Sequence, residues 1–431
     1  MSDLIGIKNI VDRQSATLIP FGDSLTDAGS DYSIGLVNYN RFNDYSWWGW
    51  AQRLMRYPLE VIRNAGVSGE EVSQMLNRIY DDVLVYQPGW VFFLGGTNDI
   101  YTDRSASDTM ADIDKIVNLC IRNRSSVLLS TIPARSDGSV NETRRSQHLL
   151  LNDMIREFAS RSRSTQLVDS WRVTVNPSST VGAERSGYNY DNLHFSNTAG
   201  YAIGKECARV LTPHIVSPIS LVSSYYDTLT NNADGSNVMT DAGFFLTSEA
   251  SGAAGMSGNE AANWNCTRVT GTPTSVNSLQ ANSQGFGNYQ RMVVTSGANN
   301  DQVRLENTQG TTIAGSVAPG DWIRCECEII VASPVNLKGV ELHLGITDNN
   351  SSLNQNLRDN AYQSGSAVAY AEGFTATFRT PWHYMEPNSS PSNIHPLLTY
   401  TFAGVGGATI DVGMLSIRKA SSKYPPVYIH D

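Results

Sequence analysis

The sequence has few cysteines, no long apolar run and no excess of positive charge, and each shortage excludes a class of protein. Five cysteines among 431 residues form no metal-binding spacing, and an odd, sparse set is typical of a reduced compartment rather than a disulfide framework. No apolar run approaches the roughly 20 residues needed to span a bilayer. The formal net charge of −10 argues against nucleic acid as a partner, because phosphate binding requires a basic face.

The N-terminus also lacks an apolar segment followed by a small-residue cleavage site. We therefore expect no secretory signal and synthesis in the cytosol. At 431 residues the chain exceeds the size at which one hydrophobic core usually keeps growing, so we expect two domains.

Apolar runs alternate with amphipathic stretches in the first half of the chain. The predicted strands are Thr17–Phe21, Glu60–Arg63, Trp90–Leu94, Val127–Thr131 and Gln166–Val168, and the predicted helices lie near 44–57, 69–85, 107–124, 142–163 and 196–212. This alternation predicts a mostly parallel sheet covered on both faces. Ligands bind such sheets where loops leave the carboxyl ends of the strands.

The second half is rich in Asn, Ser, Thr and Gly, and helical periodicity fades. Alternating runs occur at 289–294, 322–331, 340–346, 374–379 and 408–417, which is typical of an antiparallel β-sandwich or jelly roll. We predict an esterase-type domain over residues 1–215, a linker over 216–235 and an all-β domain over 236–431.

Four short segments place chemically useful residues where the sheet predicts a site. They are Gly-Asp-Ser-Leu with Ser24, Asn-Ala-Gly with Gly66, Gly-Thr-Asn-Asp with Asn98, and Asp-Asn-Leu-His with Asp191 and His194. Each alone has an ordinary structural explanation: a helix N-cap, a loop glycine, a turn, and a surface histidine near a helix start. Their order, with three of them directly after strands, favours a shared functional role.

Together the four segments resemble the SGNH or GDSL family of hydrolases over about residues 15–212. The resemblance implies a flavodoxin-like three-layer α/β/α domain. It implies Ser24 as the nucleophile, His194 as the general base and Asp191 as the residue that orients it. The implied oxyanion hole consists of the backbone N–H groups of Ser24 and Gly66 and the side chain of Asn98. A base is needed because a serine hydroxyl is a weak nucleophile until its proton is accepted.

The resemblance implies ester hydrolysis but not a substrate. The β-rich half has polar turns and scattered aromatic residues, so it resembles a carbohydrate-binding module. We therefore expect an esterase that removes O-acetyl groups from a polysaccharide, and a bacteriophage tail or virion protein would explain the missing signal. The alternatives are an intracellular lipid or acyl-thioester hydrolase, and a glycan-binding structural virion protein with little turnover.

The sequence also leads to expectations about cofactors and further partners. The histidines show no ligand-like spacing, so we assign no metal and no cofactor. We expect no nucleic acid and no membrane span. A homo-oligomer is compatible with exposed sandwich edges, although the sequence shows no trimerisation stalk.

Overall fold

The computed structural model describes residues 16–31, 41–215, 236–239, 245, 247–282, 287–365 and 367–420. Within these ranges the chain divides into two compact units. The α/β unit takes in residues 16–30 and 45–215, and the β-rich unit takes in residues 31, 41–44 and those described from 236 to 420. None of the helices in the described ranges is long and apolar enough to cross a membrane.

The α/β unit shows the alternation that the apolar pattern predicts. Its strands are Thr17–Gly22, Glu60–Val61, Ala65–Gly66, Trp90–Leu94, Ser126–Ser130 and Thr165–Val168. Its helices are Ser24–Asp27, Trp47–Leu54, Val72–Asp82, Thr97–Tyr101, Ala106–Arg122, Glu142–Arg161, Ser170–Thr174 and Asn197–Leu211, with a 3-10 turn at Leu84–Tyr86. Every strand and long helix predicted for this half is present, with its ends moved by a few residues.

The strand order creates a crevice in the parallel sheet. The strands lie in the order Glu60–Val61, Thr17–Gly22, Trp90–Leu94, Ser126–Ser130, Thr165–Val168. After the first strand the chain adds a neighbour on one side and then crosses to the other. Such a reversal separates the loops at the carboxyl ends of the two central strands and opens a binding crevice there. Ser24 follows one of these strands and Asn98 follows the other.

Two groups of helices pack on this sheet. Helix Trp47–Leu54 packs against Asn197–Leu211, while the helices at 72–82, 106–122 and 142–161 contact one another in succession. Trp47, Trp48 and Trp50 are fully buried, as expected of core residues. A Cβ at Gly204 would lie 2.3 Å from the Cβ of Trp50, so glycine allows the first pair of helices to approach closely.

The β-rich unit forms one large mixed sheet, which confirms a β-rich second half. The strands of this sheet are Ser30–Asp31, Arg41–Asn43, Ser236–Asn237, Ser248–Ala250, Met256–Ala261, Trp264–Thr270, Thr274–Ala281, Asn288–Ser296, Asn299–Asn307, Trp322–Asp348, Gln355–Ala361, Phe374–Arg379, His383–Tyr384 and Pro391–Ala420. Gly310–Ala314 is helical, and Ser351–Leu353 forms a 3-10 turn. Most pairs are antiparallel, and a jelly-roll topology remains a prediction.

Two very long strands form the centre of this sheet. Trp322–Asp348 and Pro391–Ala420 pair along nearly their whole length, with shifts of register between Ala332 and Gly339. Ser333 and Asn336 have φ angles of 48° and 58° there, a conformation that interrupts regular pairing. The predicted strands at 322–331 and 340–346 are therefore two parts of one irregular strand.

One short segment differs from the linear division of the chain. Arg41–Asn43 pairs in parallel with Gln355–Ala361, and the Asp44 N–H donates to the Ala361 carbonyl at 3.1 Å. Residues 41–44 thus pack with the β-rich unit, although they lie within the stretch predicted as the first domain. A three-residue strand in a polar region has no periodicity by which it could be predicted. The predicted linker, 216–235, lies outside the described residues.

Candidate active site

Ser24 lies on the turn between the strand Thr17–Gly22 and the short helix Ser24–Asp27. Asp23 is the N-cap of this helix, and its carboxylate accepts a hydrogen bond from the Leu25 N–H at 2.9 Å. The capping role that the sequence leaves open therefore belongs to Asp23. Within the described residues the Ser24 N–H has no acceptor, as expected for the first residue of a helix. It can donate to a ligand.

The structure brings Ser24, His194 and Asp191 into one chain of hydrogen bonds. His194 Nε2 lies 3.0 Å from Ser24 Oγ, and His194 Nδ1 lies 2.7 Å from Asp191 Oδ2. When Nδ1 carries a proton toward the carboxylate, the Nε2 lone pair faces the serine hydroxyl. This tautomer can accept the hydroxyl proton, so the arrangement can activate Ser24 as a nucleophile.

The loop that carries Asp191 and His194 is shaped by the aspartate itself. Asp191 Oδ1 accepts the backbone N–H groups of Leu193 at 3.1 Å and His194 at 2.6 Å. Asn192, between them, has a φ of 67°, which asparagine tolerates better than most residues. Asp191 therefore folds its own loop with one oxygen and holds the imidazole with the other.

These contacts also determine the charge of Asp191. Partial burial alone would raise the pKa of this carboxyl group. Hydrogen bonds from the His194 ring and from the backbone N–H groups of His194 and Leu193 outweigh that effect and lower the pKa below its ordinary value. A carboxylate that stays ionised can stabilise the imidazolium formed when the serine loses its proton.

Gly66 does not present a free donor, contrary to the role expected from the sequence. Its backbone N–H donates to Asn64 Oδ1 at 3.0 Å, and Gly66 pairs with Gly22 in the sheet. A Cβ at Gly66 would lie 2.2 Å from the Asp27 backbone nitrogen. Glycine is required here because the two chain segments lie so close together.

Three residues later, Gly69 has the property that Gly66 lacks. It is exposed, and within the described part of the chain its N–H has no hydrogen-bond acceptor. Its φ of 82° favours glycine. The sequence signal for Gly69 was the second glycine of Asn-Ala-Gly-Val-Ser-Gly, but nothing in the pattern ranks it above the first.

Asn98 lies beside the same loop. Its side-chain Nδ2 donates to the Glu70 carbonyl at 2.8 Å, and the amide has a second N–H. The neighbouring Asp99 is fully buried and accepts hydrogen bonds from the Val72 N–H at 2.9 Å and from Arg104 at 2.7 Å. Asp99 therefore secures the start of helix 72–82, which follows the Gly69 loop.

Tyr190 lies against the imidazole of His194. Its ring stacks on His194 with centroids 5.9 Å apart and planes 22° apart, and Tyr190 is 50% exposed. One face of the histidine is therefore covered by an aromatic ring that also faces solvent. Tyr188, which the sequence offers as a second stacking residue, is half-buried beneath Arg185.

Other titratable groups of the α/β unit are committed elsewhere. Asp169 pairs with Arg156 at 3.0 Å, and burial lowers the pKa of His148 to about 3. The two cysteines of this unit, Cys120 and Cys207, and the three of the β-rich unit are all buried free thiols. Across the described ranges, no group of three or more His, Cys, Asp or Glu side chains is arranged to hold a metal ion.

A serine, a histidine and an aspartate in hydrogen-bond contact at the carboxyl end of a parallel sheet form the arrangement of an α/β serine hydrolase. Residues 21–203 match the GDSL-like lipase/acylhydrolase family, so this part of the chain is a GDSL-like domain. The match covers the α/β unit and supports ester hydrolysis as its chemistry. No curated protein matches the chain.

Several solved structures resemble the α/β unit at low identity. A GDSL-like lipase from Bacteroides thetaiotaomicron is 18% identical, with 49% of this chain and 95% of that chain covered and a TM-score of 0.35. An acetyl xylan esterase is 20% identical, with coverages of 44% and 96% and a TM-score of 0.35. A mutant acetyl-xylooligosaccharide esterase from Geobacillus is 19% identical, with coverages of 46% and 94% and a TM-score of 0.36. Similarity at this level carries no conclusion about the substrate.

Proposed function

We propose that this protein is a serine esterase that removes O-acetyl groups from a polysaccharide through an acyl-enzyme. The observation that carries the catalytic part is the position of His194, within hydrogen-bond distance of both Ser24 and Asp191. A histidine between a hydroxyl and a carboxylate can transfer the proton in both halves of an acyl-transfer reaction.

In the proposed mechanism, Ser24 Oγ attacks the ester carbonyl while His194 Nε2 accepts the hydroxyl proton. Asp191 holds the Nδ1 proton and stabilises the imidazolium. His194 then gives its proton to the leaving sugar oxygen, which leaves the acyl group on Ser24. Water, activated by the same imidazole, attacks this ester and releases the acid, after which His194 returns the proton to Ser24.

For the oxyanion we propose three donors: the Ser24 N–H, the second amide N–H of Asn98, and the Gly69 N–H in place of Gly66. The Ser24 and Gly69 N–H groups have no acceptor within the described residues. The Asn98 amide donates to the Glu70 carbonyl next to Gly69, which joins the segment that carries Asn98 to the Gly69 loop. Donors preset for the charge of the transition state are typically worth about 3 to 4 kcal/mol each.

The substrate side of the proposal rests on the loop before His194. Over residues 175–193, Val181 and Tyr190 are the exposed large apolar or aromatic residues, and the other exposed positions are Pro177 and polar residues. A long acyl chain needs a continuous apolar groove, whereas a sugar suits polar groups beside an aromatic face. Tyr190, half-exposed and stacked on His194, offers such a face. A second polar stretch of the sequence, residues 32–42, lies outside the described residues over 32–40.

We further propose that the β-rich unit binds glycan and that the protein acts on a surface polysaccharide as part of a virion. Among the aromatic residues that suggested a carbohydrate-binding module, Trp264, Tyr289, Tyr370 and Trp382 are buried. Trp322 and Tyr384 are half-buried, with ring centroids 5.1 Å apart. The proposed binding face is therefore centred on this pair.

Hydrolysis of p-nitrophenyl acetate, butyrate and octanoate tests the proposal in wild type and Ser24→Ala. We expect acetate to be preferred and turnover by Ser24→Ala to fall at least about 10³-fold. Ser160→Ala, an exposed serine on helix 142–161, is the matched control and should retain wild-type turnover. Acetylated polysaccharides are then assayed for released acetate.

The alternatives predict different results. A preference for octanoate would indicate a lipid or acyl-thioester hydrolase instead. Wild-type protein with no Ser24-dependent turnover, but with retained glycan binding, would indicate a binding protein and overturn the catalytic proposal.

A further inference from the structure

Arg78, on helix Val72–Asp82, contacts two of the segments that form the proposed active site. Its Nη2 donates to the Gly22 carbonyl at 3.1 Å, and its Nη1 donates to the Ala65 carbonyl at 2.9 Å. Its Nε donates to Glu70 Oε2 at 2.6 Å. One guanidinium group thus contacts the end of one strand, the end of a neighbouring strand and the loop beyond it.

Each of these partners lies close to a proposed catalytic group. Gly22 is two residues before Ser24, and Glu70 directly follows Gly69. The Glu70 carbonyl also accepts the Asn98 amide at 2.8 Å. The nucleophile and two proposed oxyanion donors are therefore linked to Arg78 through short stretches of backbone.

The other end of the Gly69 loop is held independently. Ser68 Oγ donates to Asp27 Oδ2 at 2.8 Å, which joins the residue before Gly69 to the helix that begins at Ser24. Gly69 itself has no side chain and no backbone hydrogen bond among the described residues. Its N–H direction therefore depends on the anchoring of its two neighbours, Ser68 and Glu70.

Arg78 is itself held in one orientation. Asp82 Oδ2 accepts its Nη1 at 2.8 Å, and its guanidinium carbon lies 4.7 Å from the centre of the Phe21 ring. Its side chain is 16% exposed and that of Glu70 is 15% exposed, so solvent screens their ion pair only partly. A planar guanidinium can donate in several fixed directions at once, whereas a lysine ammonium cannot reproduce that fork.

We propose that Arg78 is a positioning residue that sets the separation between the Ser24 turn and the Gly69 loop, to which Asn98 is hydrogen-bonded. The inference rests on the proposed function, because it assigns a role within that same site. Arg78 contacts no reacting atom. It acts through the carbonyl groups of Gly22 and Ala65 and through Glu70.

The test compares Arg78→Lys and Glu70→Gln with wild type on p-nitrophenyl acetate. Displaced donors weaken only the transition state, so we expect Arg78→Lys to lower kcat roughly 10- to 100-fold with KM within about twofold. Glu70→Gln, which keeps the backbone carbonyl and an acceptor oxygen, should lower kcat by a smaller factor. Arg161 is an exposed arginine that pairs with Glu157 on its own helix, 142–161. The control variant Arg161→Lys should therefore behave as wild type.

Hydrogen exchange of residues 64–71, measured by mass spectrometry on the full chain, provides a readout that does not need turnover. We expect faster exchange in this segment of Arg78→Lys, with exchange of the strand Trp90–Leu94 unchanged. Wild-type kcat and wild-type exchange in Arg78→Lys would overturn the inference, as would a general loss of protection. If wild type hydrolyses no ester, the proposed function fails, and the exchange comparison still decides whether Arg78 holds the loop.

Discussion

The two units of this protein bury charged groups in different surroundings. In the α/β unit, Asp23 is fully buried at the end of a strand, and one of its carboxyl oxygens has no hydrogen-bond partner in the described part of the chain. In the β-rich unit, Glu326 is fully buried within a long strand, and it accepts Arg379 and Arg418, each at 2.9 Å. Among the described residues, the Asp23 carboxyl group forms no ion pair, whereas that of Glu326 lies within 4.0 Å of three arginines.

The two surroundings shift the pKa values of these carboxyl groups in opposite directions. Burial raises the pKa of Asp23 to about 7, since the Leu25 N–H and the more distant Arg135 offset only part of the desolvation, and the like charge of Asp99 adds to it. Burial alone would also raise the pKa of Glu326, but the surrounding arginines lower it below its ordinary value. The β-rich unit uses buried charge within a compensated network, whereas the α/β unit tolerates an uncompensated group beside its proposed nucleophile.

Among the variants that test this comparison, we expect Glu326→Ala to have the largest effect, a loss of stability of the β-rich unit. The substitution removes one buried carboxylate from Arg324, Arg379 and Arg418, which are 9%, 5% and 6% exposed. Breaking a buried ion pair on one side typically costs about 3 to 5 kcal/mol. We expect the free energy of unfolding of the β-rich unit to fall by about that amount, measured by hydrogen exchange of its central strands in increasing urea.

The matched control is Glu306→Ala, which removes a carboxylate from a half-exposed pair with Arg304 at 3.7 Å in the same unit. Such a pair is worth at most about 1 kcal/mol. If Glu326→Ala and Glu306→Ala destabilise the unit equally, the arginines around Glu326 reach solvent or other partners. The contrast with Asp23 would then disappear.

The two units also differ in how much of their structure can be predicted from the sequence. In the α/β unit, a buried parallel strand such as Trp90–Leu94 is a continuous apolar run bounded by turn residues, so its type and bounds follow from local pattern. In the β-rich unit, alternation identifies strands such as Phe374–Arg379. It does not specify which strands pair, because pairing of Trp322–Asp348 with Pro391–Ala420 joins residues far apart in sequence.

The site shows the same limit at the scale of single residues. Ser24, Asp191 and His194 could be predicted because each follows or precedes a recognisable element in a characteristic order. The proposed choice of Gly69 over Gly66 could not be made from the sequence, because it depends on the Asn64 side chain, which accepts the Gly66 N–H. The sequence does not single out Arg78, because an arginine on an amphipathic helix is usually solvated.

A smaller effect is expected from Asn98→Ala, which removes a proposed oxyanion donor and its contact with the Glu70 carbonyl. Loss of one such donor typically lowers kcat roughly 10²- to 10³-fold, or about 3 to 4 kcal/mol of transition-state stabilisation. KM for p-nitrophenyl acetate should change little, because the interaction strengthens only as the oxyanion forms. Steady-state kinetics measures both constants.

Asn118→Ala, on the exposed side of helix 106–122, is the control for this substitution and should keep wild-type kinetics. Unchanged kcat in Asn98→Ala would show that Asn98 supplies no oxyanion donor and that its hydrogen bond to the Glu70 carbonyl is structural.

The smallest effect is a dependence of stability on pH that Asp23→Asn should remove. The pKa of Asp23 in the folded chain is about 7, against a model value of 3.8, so between these values the folded chain holds a proton that the unfolded chain releases. Stability from this group is therefore present below about pH 4 and is lost as pH rises toward 7. At about 1.4 kcal/mol per pH unit, the loss between pH 5 and pH 7 is about 2 kcal/mol.

Asparagine keeps an oxygen that can cap the helix through the Leu25 N–H but has no charge to bury. The free energy of unfolding of Asp23→Asn minus that of wild type should therefore increase from pH 5 to pH 7 and level off above. Denaturant titrations that follow hydrogen exchange of the α/β strands at each pH measure this difference directly. A difference that stays flat, or that falls with pH, would mean that Asp23 is ionised in the folded chain. Its buried oxygen would then need a compensating partner, as Glu326 has.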